Sequence, residues 1–334
     1  MANTKVRDTD LLSLSAIIRY REVKLLTTDR IERMLDATRF VDAAKQLEEC
    51  GYPDMSTLDV FGIEDALSKR RADLYNEFAK NEAAEQIVTL FRLKYDYHNV
   101  KTLVKSMGAN NDATRILSQS GRFSAEEIAG AFISGERDSL PEKLRTAISE
   151  GVGTLARTSN PQLSDITADK LYFEELIDTA NATKYDMVID YARLLVDGAN
   201  LRTFVRAART GRPREFLDLA IFEGGNAKKA DITALEYTSE RLAAVFAAPQ
   251  LQSAVALAPA ALAGGAQTAF ERECDNAATR LTTGAKLVPF GAVVVLRYLL
   301  AIDWEMTAIR MILSGHIAGV ETETIRERLR EAYV

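Results

Sequence analysis

The chain has 334 residues, 47% hydrophobic and 27% charged, the balance of a globular protein rather than a disordered or fibrous one. Single hydrophobic cores stop growing at about 250–300 residues, so two or three packing units are expected. Its 42 basic and 48 acidic side chains leave a net charge of −6, too mild for broad capture of nucleic acid or of an anionic membrane surface.

In chain order, the N-terminal stretch up to Ile17 carries no apolar segment behind a basic region, so a secretory signal is not expected and the protein is placed in the cytosol. Apolar residues then recur at helical spacing, as in Ile31, Met34 and Leu35 or Leu171, Leu176 and Ile177, while alternating strand patterns are scarce. An all-α fold follows. Gly108-Ala-Asn-Asn-Asp and Thr210-Gly-Arg-Pro213 end two strong helices with residues that helix ends favour. They divide the chain into helical units at 1–110, 111–212 and 213–334, with the N-terminal helix free to pack on another unit.

The seven prolines, at 53, 141, 161, 213, 249, 259 and 289, are expected at turns or helix starts. The Ala-rich segment from Ala247 to Gly265 reads as an irregular loop with a short helix. The most apolar stretch, Ala243 to Phe270, is broken by prolines, glycines and glutamines and cannot supply the ~20 unbroken apolar residues that a membrane span needs, so no direct membrane insertion is expected. The β-branched run Val293–Val295 continues into Leu296, Leu299 and Ile302, too long for a typical strand, and reads as a buried helix.

One pattern recurs three times. Asp96-Tyr-His-Asn99-Val-Lys101 matches Asp197-Gly-Ala-Asn200-Leu-Arg202 and, more weakly, Glu305-Met-Thr-Ala308-Ile-Arg310, at offsets of 101 and 108 residues between the Asn/Ala positions. At about 100° per residue the acid and the Asn share a helix face, whereas the base five residues after the acid lies about 140° away. The acid and Asn are therefore aimed at another helix, where the amide can bond exposed backbone and the carboxylate can meet an Arg. Lys101 with Lys105, and Arg202 with Arg206 and Arg209, form basic stripes within about 60° of arc. With Arg310 they are either partner contacts or solvated cations complementing the helix dipole.

Catalytic readings find little support. His98 and His316 belong to no metal-ligand pattern, and Cys50 and Cys274, far apart in sequence and in polar helical contexts, read as reduced thiols. Glu223-Gly-Gly-Asn-Ala-Lys-Lys and Thr282-Thr-Gly-Ala-Lys lack the spacing of a phosphate-binding loop, and each reads as a turn before a helix. Adjacent carboxylates such as Glu126-Glu127 and Glu174-Glu175 point about 100° apart on a helix and read as solvated faces. No catalytic, metal or cofactor site is expected.

The segments Leu93-Lys-Tyr-Asp-Tyr-His-Asn-Val-Lys-Thr-Leu, Tyr172-Phe-Glu-Glu-Leu with Asp197-Gly-Ala-Asn-Leu-Arg-Thr, and Val288-Pro-Phe-Gly with the tail from Ile325 to Val334 resemble the C subunits of archaeal and bacterial A/V-type rotary ATPases, whose equivalent in the eukaryotic vacuolar enzyme (V-ATPase) is the d subunit. Ala16-Ile-Ile-Arg19 with Leu25-Leu26 resembles the family's opening, with Ile17 where the family has Arg, and Ala308 stands where the family's third copy carries Asn. The resemblance implies three similar helical units around a pseudo-threefold axis, forming a funnel-shaped socket without an active site. It implies a place between the central rotor shaft subunits and the membrane rotor ring (c ring) on the cytoplasmic face, transmitting torque for ion transport or ATP synthesis. A cytosolic helical-repeat protein-binding scaffold is the alternative, although three units near 105 residues are longer than common solenoid repeats of about 34–47 residues.

Overall fold

A computed structural model describes residues 7–109, 116–238 and 240–331. All regular structure among them is helical: α1 (Leu12–Glu22), α2 (Thr28–Leu35), α3 (Phe40–Lys45), α4 (Val60–Phe78), α5 (Glu82–Ala109), α6 (Ala125–Ser134), α7 (Glu142–Thr158), α8 (Pro161–Thr183), α9 (Asp186–Arg209), α10 (Glu215–Ala220), α11 (Lys229–Thr233), α12 (Leu242–Val245), α13 (Gln252–Leu262), α14 (Gln267–Thr283), α15 (Ala292–Ala318) and α16 (Thr322–Arg328). The expected all-α class is what the chain adopts. The stop at Thr210–Pro213 follows the end of α9, with Gly211 in the left-handed region at φ +60°. The stop after Gly108 falls largely outside the described residues.

The helices start and stop for local reasons. Asn81 caps α5, its side-chain oxygen accepting from the Ala83 amide at 3.0 Å, and Ser124 and Glu127 form a reciprocal capping box on α6. Asn160 caps α8 with Pro161 in the first helical turn, where the missing amide costs nothing. A left-handed Lys184 at φ +58° separates α8 from α9, so these two long helices are joined by a tight turn.

Two compact units emerge from the packing. One comprises Ser68–Ala192 with Phe222–Gly224, and the remainder of the chain forms the other. In the first, α5 packs along α7 and α8 around Ile87, Val88, Phe91, Leu144, Ile148 and Leu176. The Phe91 and Tyr191 rings stack at 5.7 Å, and Phe222 meets Phe173 at 4.9 Å, which ties the short 222–224 segment to this unit.

The second unit gathers Leu201, Phe204, Leu217, Phe246, Leu251 and Phe270 into one core and buries α15 almost all round. A helix apolar on every face belongs in an interior, and Val294 and Val295 lie there, in a helix as the sequence indicates. Two local expectations fail in this unit. The Ala247–Gly265 segment is mostly ordered helix, and Pro259 lies inside α13 rather than at its start. The buried face of Ala254, Val255, Ala258 and Ala261 holds the helix, while the proline ring faces solvent three residues from its end.

Candidate functional site

The three signature helices are α5, α9 and α15, and all six acid and Asn/Ala positions, Asp96, Asn99, Asp197, Asn200, Glu305 and Ala308, are buried. Buried polar groups persist only when they are hydrogen-bonded, so each acid must be answered by donors from elsewhere.

Asp96 is answered by the loop after α5. Its carboxylate accepts the Arg122 amide at 2.9 Å and the Arg122 Nε at 2.6 Å, with the Phe123 amide at 3.4 Å. Asn99 reads the same loop through its amide group, donating to the Ser118 carbonyl at 2.8 Å and accepting the Ser118 amide at 2.7 Å. The kinds of partner are those expected from the sequence, backbone for the amide and Arg for the carboxylate. Their location is not, since they belong to a loop returning over the helix rather than to a second helix.

Arg122 also donates to Glu175 on α8 at 2.6 Å, and the Tyr97 hydroxyl donates to the same carboxylate at 2.7 Å. Glu175 is thus no solvated acid, because its side chain closes a network joining α5, the loop and α8. Burial pushes the Asp96 carboxyl above its ordinary range, while the Arg122 guanidinium and the two loop amides pull it back. Burial and the Glu175 charge push the Tyr97 hydroxyl up.

No arginine among the described residues hydrogen-bonds Asp197, although the Arg193 charge acts on it. The Asp197 carboxylate accepts the Ala227 amide at 3.0 Å, the Asn226 amide at 3.1 Å and the Asn226 side-chain amide at 2.9 Å. Burial raises its pKa against these donors and the nearby Arg193 charge. The Gly224-Gly225 pair that failed the spacing of a phosphate loop is explained here. A Cβ built on Gly225 would lie 2.1 Å from the Asp197 Oδ1, and one built on Gly121 would lie 2.2 Å from the Asp96 Oδ1. Both loops need a glycine where the backbone closes on the acid.

Glu305 turns to the beginning of the chain, accepting the Leu26 amide and the Tyr52 hydroxyl. With Ala308 in place of an Asn, this third acid has no amide neighbour at the signature position.

The bases of the same helices face neighbouring helices. Lys101 pairs with Asp169 at 2.5 Å and Lys105 with Asp165 at 2.9 Å, both on α8. Arg202 pairs with Asp275 at 2.7 Å and Arg206 with Glu271 at 2.8 Å, both on α14. Arg310 forks onto Glu64 of α4, with its Nη2 at 2.8 Å. These five charges are therefore engaged within the chain, and Arg209, exposed in the last turn of α9, has no ion pair among the described residues. In both two-pair sets, bases four residues apart meet acids four residues apart in reversed order, as antiparallel helices require. The Arg206 guanidinium and the Gln267 amide outweigh burial and hold the Glu271 carboxyl below its ordinary range.

Residues considered for chemistry occupy structural places. His98 is exposed with its Nε2 3.3 Å from the Ile116 carbonyl, and the His316 Nε2 lies 2.8 Å from the Met34 carbonyl. Cys50 and Cys274 are buried and form no disulfide; the Arg30 guanidinium donates to the Cys50 Sγ at 3.0 Å, and burial pushes the Cys274 thiol up to about 12. Among the described residues no group of His, Cys, Asp and Glu is arranged to hold a metal ion, and no helix is long and apolar enough to cross a membrane.

Residues 14–328 match the ATP synthase (C/AC39) subunit family. The chain is 22% identical to the C subunit of the V-type sodium ATPase of Enterococcus hirae, over 96% of this chain and 98% of that protein. It is also 22% identical to the C subunit of the A-type ATP synthase of Methanocaldococcus jannaschii, over 95% and 85% of the two chains, and 25% identical to that of Haloferax volcanii over 80% of each. With nearly its whole length matched and its signature acids buried on three helices, the chain belongs to the ATP synthase (C/AC39) subunit family.

Proposed function

We propose that this chain is a non-catalytic connector in a rotary ATPase, joining the central rotor shaft to the c ring on the cytoplasmic face of the membrane and passing torque between them. The observation that carries the reading is the recurring lock, in which α5, α9 and α15 each bury an acid against a distant segment and pair a base with a neighbouring helix. A part that transmits torque must resist shear between its helices. Buried acids whose donors come from other segments oppose that motion, because sliding would strand a desolvated carboxylate.

In this reading the units at 1–110, 111–212 and 213–334 stand around a pseudo-threefold axis as a funnel-shaped socket. The third unit borrows its lock from the N-terminal segment through Leu26, Tyr52 and Glu64. Lys101, Lys105, Arg202 and Arg310 then fix helix register, and Arg209, with the outer edge of Arg206, is left to meet acidic groups of a partner. Such rim charges guide orientation and association rate more than affinity.

Tagged chain extracted from native membranes in mild detergent should retain shaft and ring subunits, identified by mass spectrometry. Recovery without any rotary ATPase component would overturn the reading.

A further inference from the structure

The N-terminal helix α1 is apolar on two opposite faces. Leu14 and Ile18, with the flanking Leu11, Leu25 and Leu26, are buried in the chain's own core. Over an arc of about 140° on the other side stand Leu12, Ala16, Ile17, Tyr20 and Val23, broken only by Ser13 and Lys24. Tyr20 is 72% and Val23 84% exposed. A contiguous exposed apolar surface of this kind marks an interaction site.

The apolar surface continues beyond the helix. Arg19 donates to the Val288 carbonyl and the Ser15 hydroxyl accepts the Gly291 amide, which holds the 288–291 loop along the flank of α1 next to Leu12 and Val23. Leu287, the residue before Val288, is 93% exposed.

The charges around this surface are sorted by sign. Glu22 turns to Arg19 at 2.6 Å and Arg297 at 3.7 Å, Asp8 accepts the Ala292 amide at 3.1 Å, and the exposed Asp10 pairs with Arg7 at 3.4 Å, so these three acids are engaged within the chain. Lys24 lies 5.8 Å from the centre of the Tyr20 ring, and it and Lys286 are exposed. The outward charge at the rim is positive.

We infer that the outer face of α1 with Leu287 is a docking surface for an amphipathic helix of another subunit, one whose apolar stripe is flanked by Asp or Glu. Tyr20, Val23 and Leu287 are its anchors, and Lys24 and Lys286 set its orientation. The inference rests on the connector reading for the existence of a partner subunit.

The test uses the tagged full chain expressed in its native cells, wild type beside a Tyr20→Ser/Val23→Ser/Leu287→Ser variant, with mass spectrometry of the retained subunits. All three side chains are exposed, so the variant should melt as the wild type does. Retention of one subunit set should fall roughly tenfold or more, since a few central anchors carry most of an interface's energy. Lys24→Glu/Lys286→Glu should weaken the same retention, most strongly at low ionic strength. Wild-type chain that retains no rotary ATPase component strikes down the connector reading. Wild type that retains them, with the triple variant unchanged, strikes down the docking surface alone. Two further outcomes would also overturn it: self-association of purified wild type that the triple variant abolishes in sedimentation, or binding to phosphatidylserine vesicles that the variant abolishes.

Discussion

Asp96 and Asp197 occupy matching positions on two long helices and are equally buried, yet different chemistry holds them. Asp96 faces a guanidinium that also grips Glu175, so one arginine ties a helix, a loop and a second helix together. Asp197 is enclosed by three neutral donors from a single turn. The same sequence signature therefore supports a three-way lock bridged by a guanidinium in one place and a local one built from neutral hydrogen-bond donors in the other. The signature fixes the acid, and the loop decides how far the acid's hold extends.

The sharpest way to break the contrast is Arg122→Met, which leaves both Asp96 and Glu175 without their cation. Removing one partner of a buried pair costs about 3–5 kcal/mol, and the loss should appear as a lowered midpoint in urea. No single substitution of a residue facing Asp197 should cost as much. Gly121→Ala and Gly225→Ala should be similar to each other, because both drive a Cβ onto a carboxylate oxygen. About 1–3 kcal/mol of destabilisation is expected for each, read by the same unfolding curves.

A subtler comparison uses pH. The folded-state pKa of Asp197 is raised, so its contribution is fully present below the ordinary carboxyl range and is lost as pH rises through the folded value. The folded-state pKa of Glu271 is lowered, so its contribution is present above the ordinary range and is lost as pH falls. Asp197→Asn should accordingly cost more at pH 4 than at pH 7, and Glu271→Gln more at pH 7 than at pH 4. Thermal melts at the two pH values check the opposite signs. Glu271 is partly exposed, so its effect should be only about 0.2–1 kcal/mol. Smallest of all, Arg209→Glu should change stability by less than about 0.5 kcal/mol, and any loss of partner retention would then belong to the interface.

Much of this was legible beforehand because helical period and buried composition are local properties. The three signature helices, the helical reading of Val293–Val295 and the turn of the bases away from the acids all follow from spacing at 3.6 residues per turn. What spacing does not carry is the identity of a partner far along the chain. Arg122 is unmarked in the sequence for that reason, Glu175 beside Glu174 reads as a solvated carboxylate, and Tyr97 in an apolar helix looks like ordinary core. One signal was present and unused. Asp165 and Asp169, like Glu271 and Asp275, are acids four apart on a helix, matching the spacing of Lys101 with Lys105 and of Arg202 with Arg206. Paired i, i+4 charges of opposite sign on separate helices are what an antiparallel contact leaves in a sequence.

The third acid has a consequence for the order in which the protein is made. Glu305 and the Leu26 amide are 279 residues apart, so Leu26 leaves the ribosome long before the carboxylate that will accept its hydrogen bond exists. At about 5–20 residues per second, the N-terminal segment waits on the order of tens of seconds for α15. Throughout that interval Leu25, Leu26 and Met34, buried in the finished protein, have no finished core to enter. The last long helix to be synthesised is thus the one that shelters the first, and any pause or truncation before Glu305 leaves the start of the chain uncovered for a chaperone or a protease to find.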